Sequence, residues 1–166
     1  MPGDAIINPK TVAVLGIAEP LAGAKAIANV RALNVLADAL GVPFLDLASI
    51  FDGGPFLIGD GLSGGIADLQ KRSLILGGAA LDGAILQTAI TSLLDGYDVF
   101  IPADLCVALE PGRSNLVFDR IRDVGGIITT ERQILLECLA QFEEPRERDP
   151  LQARLDQLVL QFDRDM

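Results

Sequence analysis

Residues 73–106 read SLILGGAALDGAILQTAITSLLDGYDVFIPADLC. An apolar run, Ser73 to Leu76, is followed by a glycine-rich turn, Gly77 to Gly83, and a helix, Ala84 to Leu94. A second turn at Asp95 and Gly96 leads to another apolar run, Tyr97 to Pro102. Within the helix, Ile85, Leu86, Ala89, Ile90, Leu93 and Leu94 recur at spacings of one, three and four, the pattern of a helix with one buried face. Two short apolar runs flanking such a helix predict a βαβ unit, so the strands lie parallel with a right-handed crossover.

Ligands in open parallel sheets sit at the carboxyl ends of the strands, which places a candidate site at Gly77 to Gly83. A helix N-terminus there offers free backbone N–H groups, and glycines let a ligand approach the backbone. Gly78, Ala80, Asp82, Gly83 and Ala84 are the candidate pocket residues from this segment. The turn contains no Cys, Ser, Thr or Lys, and its one ionisable side chain is Asp82.

Outward from this unit the same alternation continues. Thr11 to Leu15, after Pro9, predicts a first strand, and a helix from about Ala24 to Leu40 carries Ile27, Val30, Leu33, Ala37 and Leu40 as its apolar stripe. Gly41 and Pro43 stop that helix, and Val42 to Leu47 forms the next strand. Between Ala48 and Arg72 lie six glycines, a short strand at Phe56 to Ile58 and a short helix around Ile66 to Gln70. Downstream, Asp104 braces a turn, Ser114 caps a helix from Asn115 to Val124, and Ile127 to Thr129 is a last strand. Thr130 caps a final domain helix reaching about Gln141.

The tail differs in character. Residues 143–149 form a charged linker, and Asp149 with Pro150 reads as an N-cap and first helical residue. The amphipathic helix 150–166 places Leu151, Leu155, Leu158, Val159 and Phe162 on one face. A free helix this short is marginal in water, so it docks on its own domain or on another subunit. The expected architecture is a three-layer α/β/α domain over residues 1–142, with a mainly parallel sheet of five or six strands.

Composition narrows the function. The chain has 166 residues, half of them hydrophobic and 22% charged, enough for one domain with a substantial core. A formal charge of −10 repels phosphate backbones and anionic lipid, against nucleic-acid and membrane-surface roles. No apolar stretch approaches the length of a membrane span, and MPGDAIINPK lacks the basic and apolar regions of a signal peptide. A cytoplasmic protein is expected, with Cys106 and Cys138 free and reduced. Histidine is absent, which removes Ser-His-Asp and Cys-His machinery and the commonest metal ligand. No metal and no cofactor are expected.

GGAALDGAILQTAITSLLDGYDVFIPADLC resembles the nucleophile segment of the isochorismatase-like cysteine hydrolases, with Gly78, Ala80, Thr88, Ala89, Gly96, Tyr97, Val99 and Asp104 in register. The resemblance runs from about residue 10 to 141 and implies their fold and their tendency to oligomerise. It also implies where their catalytic Asp, Lys and Cys would fall: on Gly16, near Gly59 and on Ala84. None of these side chains can do that chemistry, and a methyl group attacks nothing.

Two readings of function follow. One is a family member without catalysis, a scaffold or small-molecule binding subunit, homo-oligomeric through the helix 150–166. The other is a hydrolase of small amides or vinyl-ether-like molecules through a rewired site. That site would recruit Asp82, Glu19 or Asp60 as a base for water and the Gly77 to Gly83 amides as an oxyanion site. Cys106, with no His or Lys beside it in sequence, is a poor nucleophile candidate.

Overall fold

The computed structural model describes residues 6–19, 23–47, 66–67 and 69–165. The expected strand at Phe56 to Ile58, Gly59 and Asp60 lie outside the described residues, and the helix at Ile66 to Gln70 lies partly outside them.

Strand β1 (Val12–Ala18) leads into helix α1 (Gly23–Leu40) and strand β2 (Phe44–Asp46). Strand β3 (Ser73–Ala79) passes into a π-helical turn (Leu81–Ile85) and helix α2 (Leu86–Leu94). Strand β4 (Asp98–Pro102), a 3-10 turn (Ala103–Leu105) and strand β5 (Cys106–Val107) follow. Helix α3 (Ser114–Asp123), strand β6 (Ile127–Thr129), helix α4 (Glu131–Leu139) and helix α5 (Pro145–Asp165) complete the chain.

Among the described residues the sheet has six strands, all pairs parallel, in the order β2-β1-β3-β4-β6, with β5 against β3. This is the mainly parallel α/β sheet that the apolar runs predict. The longest ladder joins β1 to β3 over seven residues, Val12 with Ser73 through Ala18 with Ala79. Both strands are buried almost throughout, as expected of near-continuous apolar runs covered on two faces. On one face Leu15, Leu74, Leu76, Ile85 and Ile121 pack together, and on the other Leu33, Leu36, Ile75, Phe100 and Ile134.

Several boundaries differ from the sequence reading. Gly77, Gly78 and Ala79 are strand rather than turn, because pairing with Gly16, Ile17 and Ala18 outweighs the glycines' turn preference. The next helix therefore opens at Leu81, as a π turn, rather than at Ala84. Ser114 is the first residue of α3 and not its cap; its hydroxyl donates to the Pro111 carbonyl. Thr130 does cap α4, accepting from the Gln133 N–H at 3.2 Å.

The linker assigned to residues 143–149 is largely helix. Helix α5 begins at Pro145, with Pro150 inside it. The guanidinium of Arg148 donates to the carbonyls of Leu139 and Phe142 at 2.8 and 2.7 Å, so the first turn of α5 is clamped to the end of α4. Leu151 and Leu155 are buried against the domain, which contributes about 1.5 to 3 kcal/mol for each. Arg154 forms a two-pronged ion pair with the buried Glu131, at 2.7 and 3.2 Å. The near half of the tail helix thus docks on its own domain. Val159, Leu160 and Phe162, farther along, are exposed.

Candidate functional site

At the carboxyl edge of the sheet β1 and β3 end side by side, Ala18 beside Ala79. The Glu19 N–H donates to the Ala79 carbonyl at 3.0 Å, which fixes Glu19 over the start of the π turn. In that turn the Ala80 carbonyl accepts from Gly83 at 3.2 Å and from Ile85 at 3.0 Å, the latter a five-residue bond in place of the α-helical one from Ala84. The Ala84 N–H instead meets Glu19, whose Oε1 accepts it at 2.6 Å. A Cβ on Gly83 would lie 2.5 Å from the same oxygen, so the missing side chain at 83 is what admits the carboxylate. A negative group at a helix start is favourable, so this contact also stabilises the turn.

Glu19 is therefore bound at the site rather than a solvated loop acid. Gly16 is not there: a Cβ at 16 would meet Phe44 Cζ at 2.9 Å and Val30 Cγ1 at 3.0 Å, inside the packing of β2 and α1. Among the described residues the carboxylate brought to Ala84 is that of Glu19, three positions after Gly16. Strand β1 runs to Ala18 instead of Leu15, and this extension puts Glu19 directly after the strand's end.

Ala84 is fully buried, packed in the cluster that holds Leu81 and Ile85. Ala80 packs with Ala79 and Ala26. Gly78, at φ +118°, lies so close to β1 that a Cβ would fall on the Ile17 carbonyl. Its role is close strand approach; Cys106 and Val107 of β5 pair with Gly78 and Ala79 from the other side.

Asp82 is tied down. Its carboxylate accepts from the N–H groups of Leu109 and Glu110, at 2.9 and 3.0 Å, and so ties the π turn to the loop after β5. Desolvation acts to raise its pKa, but these backbone donors, its own N–H and the charge of Arg113 outweigh that and hold it below the ordinary carboxylate value. Asp104 accepts the Glu131 N–H at 3.0 Å, bracing the start of α4 rather than its own turn.

Neither thiol is poised to react. Burial pushes the Cys106 pKa up to about 12, against a lowering by the Gly78 backbone, and its Sγ lies 3.2 Å from the Pro102 carbonyl. Burial likewise pushes Cys138 up to about 12. Among the described residues no group of three His, Cys, Asp or Glu is arranged to hold a metal ion, and no helix is long and apolar enough to cross a membrane.

The chain is similar to several known proteins. It is 32% identical over 75 residues to isochorismatase domain-containing protein 2 of Xenopus laevis, a match spanning 45% of this chain and 37% of that protein. Its fold is similar to the YcaC gene product of Escherichia coli, described as an octameric hydrolase of unknown specificity, at a TM-score of 0.70 and 15% identity over all of both chains. YcaC of Pseudomonas aeruginosa, solved with hexane-2,5-diol and covalent acrylamide, gives 0.67 at 16% identity over 95% of this chain and 97% of that one. The sequence profile of the Isochorismatase domain matches residues 48–133, just over half of the chain, and the protein belongs to that family.

Proposed function

We propose that this protein is an isochorismatase-family member without cysteine-hydrolase activity, acting as a non-catalytic scaffold or small-molecule binding subunit. The observation that carries this reading is the contact between Glu19 and Ala84. The residue in the nucleophile's place is a buried methyl group, and its N–H is already bound to a carboxylate at 2.6 Å. Acyl transfer needs free donors where negative charge develops. A fixed carboxylate on that donor repels such charge instead. A rewired site gains little support from the other candidates: both oxygens of Asp82 are engaged, and its lowered pKa makes it a weak base.

The test is turnover of a panel of small amides and vinyl ethers by the purified protein. No turnover is expected. Hydrolysis that disappears in Glu19→Gln would overturn the reading, because that exchange keeps the shape and removes the base.

The same reading includes a homo-oligomer formed through α5. Its support is the exposed run Val159, Leu160 and Phe162 beyond the docked part of the helix, together with the octameric description of the Escherichia coli neighbour. Light scattering is expected to give a multiple of the 17.6 kDa chain mass, falling in Val159→Glu/Phe162→Glu with the fold intact. A monomeric wild-type protein, or an assembly indifferent to both charges, would remove the proposed interface.

A further inference from the structure

At the amino ends of β1 and β3, across the length of the sheet from Glu19, the surface carries a hollow of about 470 Å³. Lys10, just before β1, Lys71, just before β3, and Arg146, in the first turn of α5, line it. A second hollow of about 290 Å³ shares Lys10, Phe142 and Glu147 with the first and adds Glu143 and Glu144. The two hollows therefore adjoin along these shared residues and Pro9, and together they make a groove whose charge changes from one part to the other. The first hollow carries Lys10, Lys71 and Arg146 against Asp38 and Glu147, and the second carries Glu143, Glu144 and Glu147 against Lys10.

These charges are not used up within the fold. Among the described residues no ion pair involves Lys10, Lys71, Arg146, Glu143, Glu144 or Glu147. Lys71 donates to the Lys10 carbonyl at 3.2 Å, which holds the two basic residues together. Three of the 13 cationic side chains of a chain with charge −10 converge here. Leu40, Val42 and Pro150 add apolar surface to the first hollow, and Phe142 is the apolar side chain common to both.

We propose that this groove binds a small zwitterion with an apolar middle, of the size and chemistry of a dipeptide. The carboxylate lies toward Lys71 and Arg146, the ammonium toward Glu143 and Glu144, and the side chain rests on Phe142. A simple anion would leave the glutamate pole unanswered, and a simple cation the lysine pole. The larger of the two volumes lies in the range of small-molecule sites.

The test is titration of the isotopically labelled full chain with glycylphenylalanine, its N-acetylated form and its C-terminal amide, followed by amide NMR shifts. The zwitterion at about 10 mM, roughly tenfold above a dissociation constant near 1 mM, is expected to shift Gly41, Val42 and Phe142 saturably. Each exposed charge pair changes affinity only modestly, so either blocked form is expected to bind about two- to fivefold more weakly. Lys71→Glu is expected to weaken the zwitterion by a similar factor. Equal binding of the three forms, shifts centred on Ala84, or no shifts at about 10 mM would overturn the proposal.

Discussion

Gly78→Ala is expected to destabilise the protein by on the order of 4 kcal/mol or more, enough to leave little folded material against a typical total of about 5–15 kcal/mol. Residue 78 lies at φ +118° in the middle of the sheet, where a Cβ would fall on the Ile17 carbonyl. No rotamer relieves a clash between Cβ and backbone, so β1 and β3 must separate or the residue must leave its conformation. Gly112→Ala is the matched control. A Cβ there meets nothing within 4 Å, and the change is expected to stay within about 0.5 kcal/mol. Equal melting points for the two variants would show that β3 does not run against β1 as described.

Arg154→Leu is expected to cost about 3 to 5 kcal/mol, the usual effect of stripping one partner from a buried ion pair. For a chain of this length that lowers the melting point by about 6 to 20 °C. The side chains of Arg154 and Glu131 are 14% and 2% exposed, so the stranded carboxylate would find little water. Burial already raises the Glu131 pKa; Arg154 opposes the rise, and Asp104 adds to it. Because the folded state holds this proton more tightly than the unfolded chain, the carboxylate's penalty is absent below the ordinary glutamate pKa of 4.5. It grows as pH rises through the folded value. The gap between variant and wild type is therefore expected to be narrow near pH 4 and wide near pH 7. Thermal melts at the two values measure it, and a gap independent of pH would assign the loss to packing alone.

Much of this architecture is legible in the residues. Apolar runs of β-strand length flank stripes at helical spacing, and these identify β1, β3, β4 and β6 with α1, α2, α3 and α4. The errors fall where pairing or a side-chain clamp competes with local preference. Gly77 and Gly78 look like a turn until a neighbouring strand occupies their backbone groups. Pro150 looks like a helix start until Arg148 is seen holding the preceding turn against α4.

The candidate site suffers most from such errors, because a strand end decides which side chain faces a ligand. Ending β1 at Leu15 makes Gly16 the first residue beyond the strand, whereas ending it at Ala18 makes that residue Glu19. Ile17 and Ala18 continue the apolar run up to Glu19 and Pro20, and that is the signal that could have placed the acid. The clamp on Asp82 by Leu109 and Glu110 has no local trace, since its partners lie 27 and 28 residues away.

The register of β1 with β3 bears on how the fold can vary through evolution. Val12 meets Ser73 only after a long intervening stretch has been brought back on itself, so this ladder is a non-local contact whose entropy cost falls on its first pair. That cost rises only logarithmically, by about 0.6 kcal/mol for each doubling of a flexible connection. Once the first pair has formed, the remaining pairs are gained with little further closure. Insertions and deletions outside α1 and β2, which pack on and pair with these strands, are thus cheap, while a one-residue slip within the ladder would turn every paired side chain to the opposite layer. Length can drift in the connection outside α1 and β2 while the order of residues along β1 and β3 stays fixed.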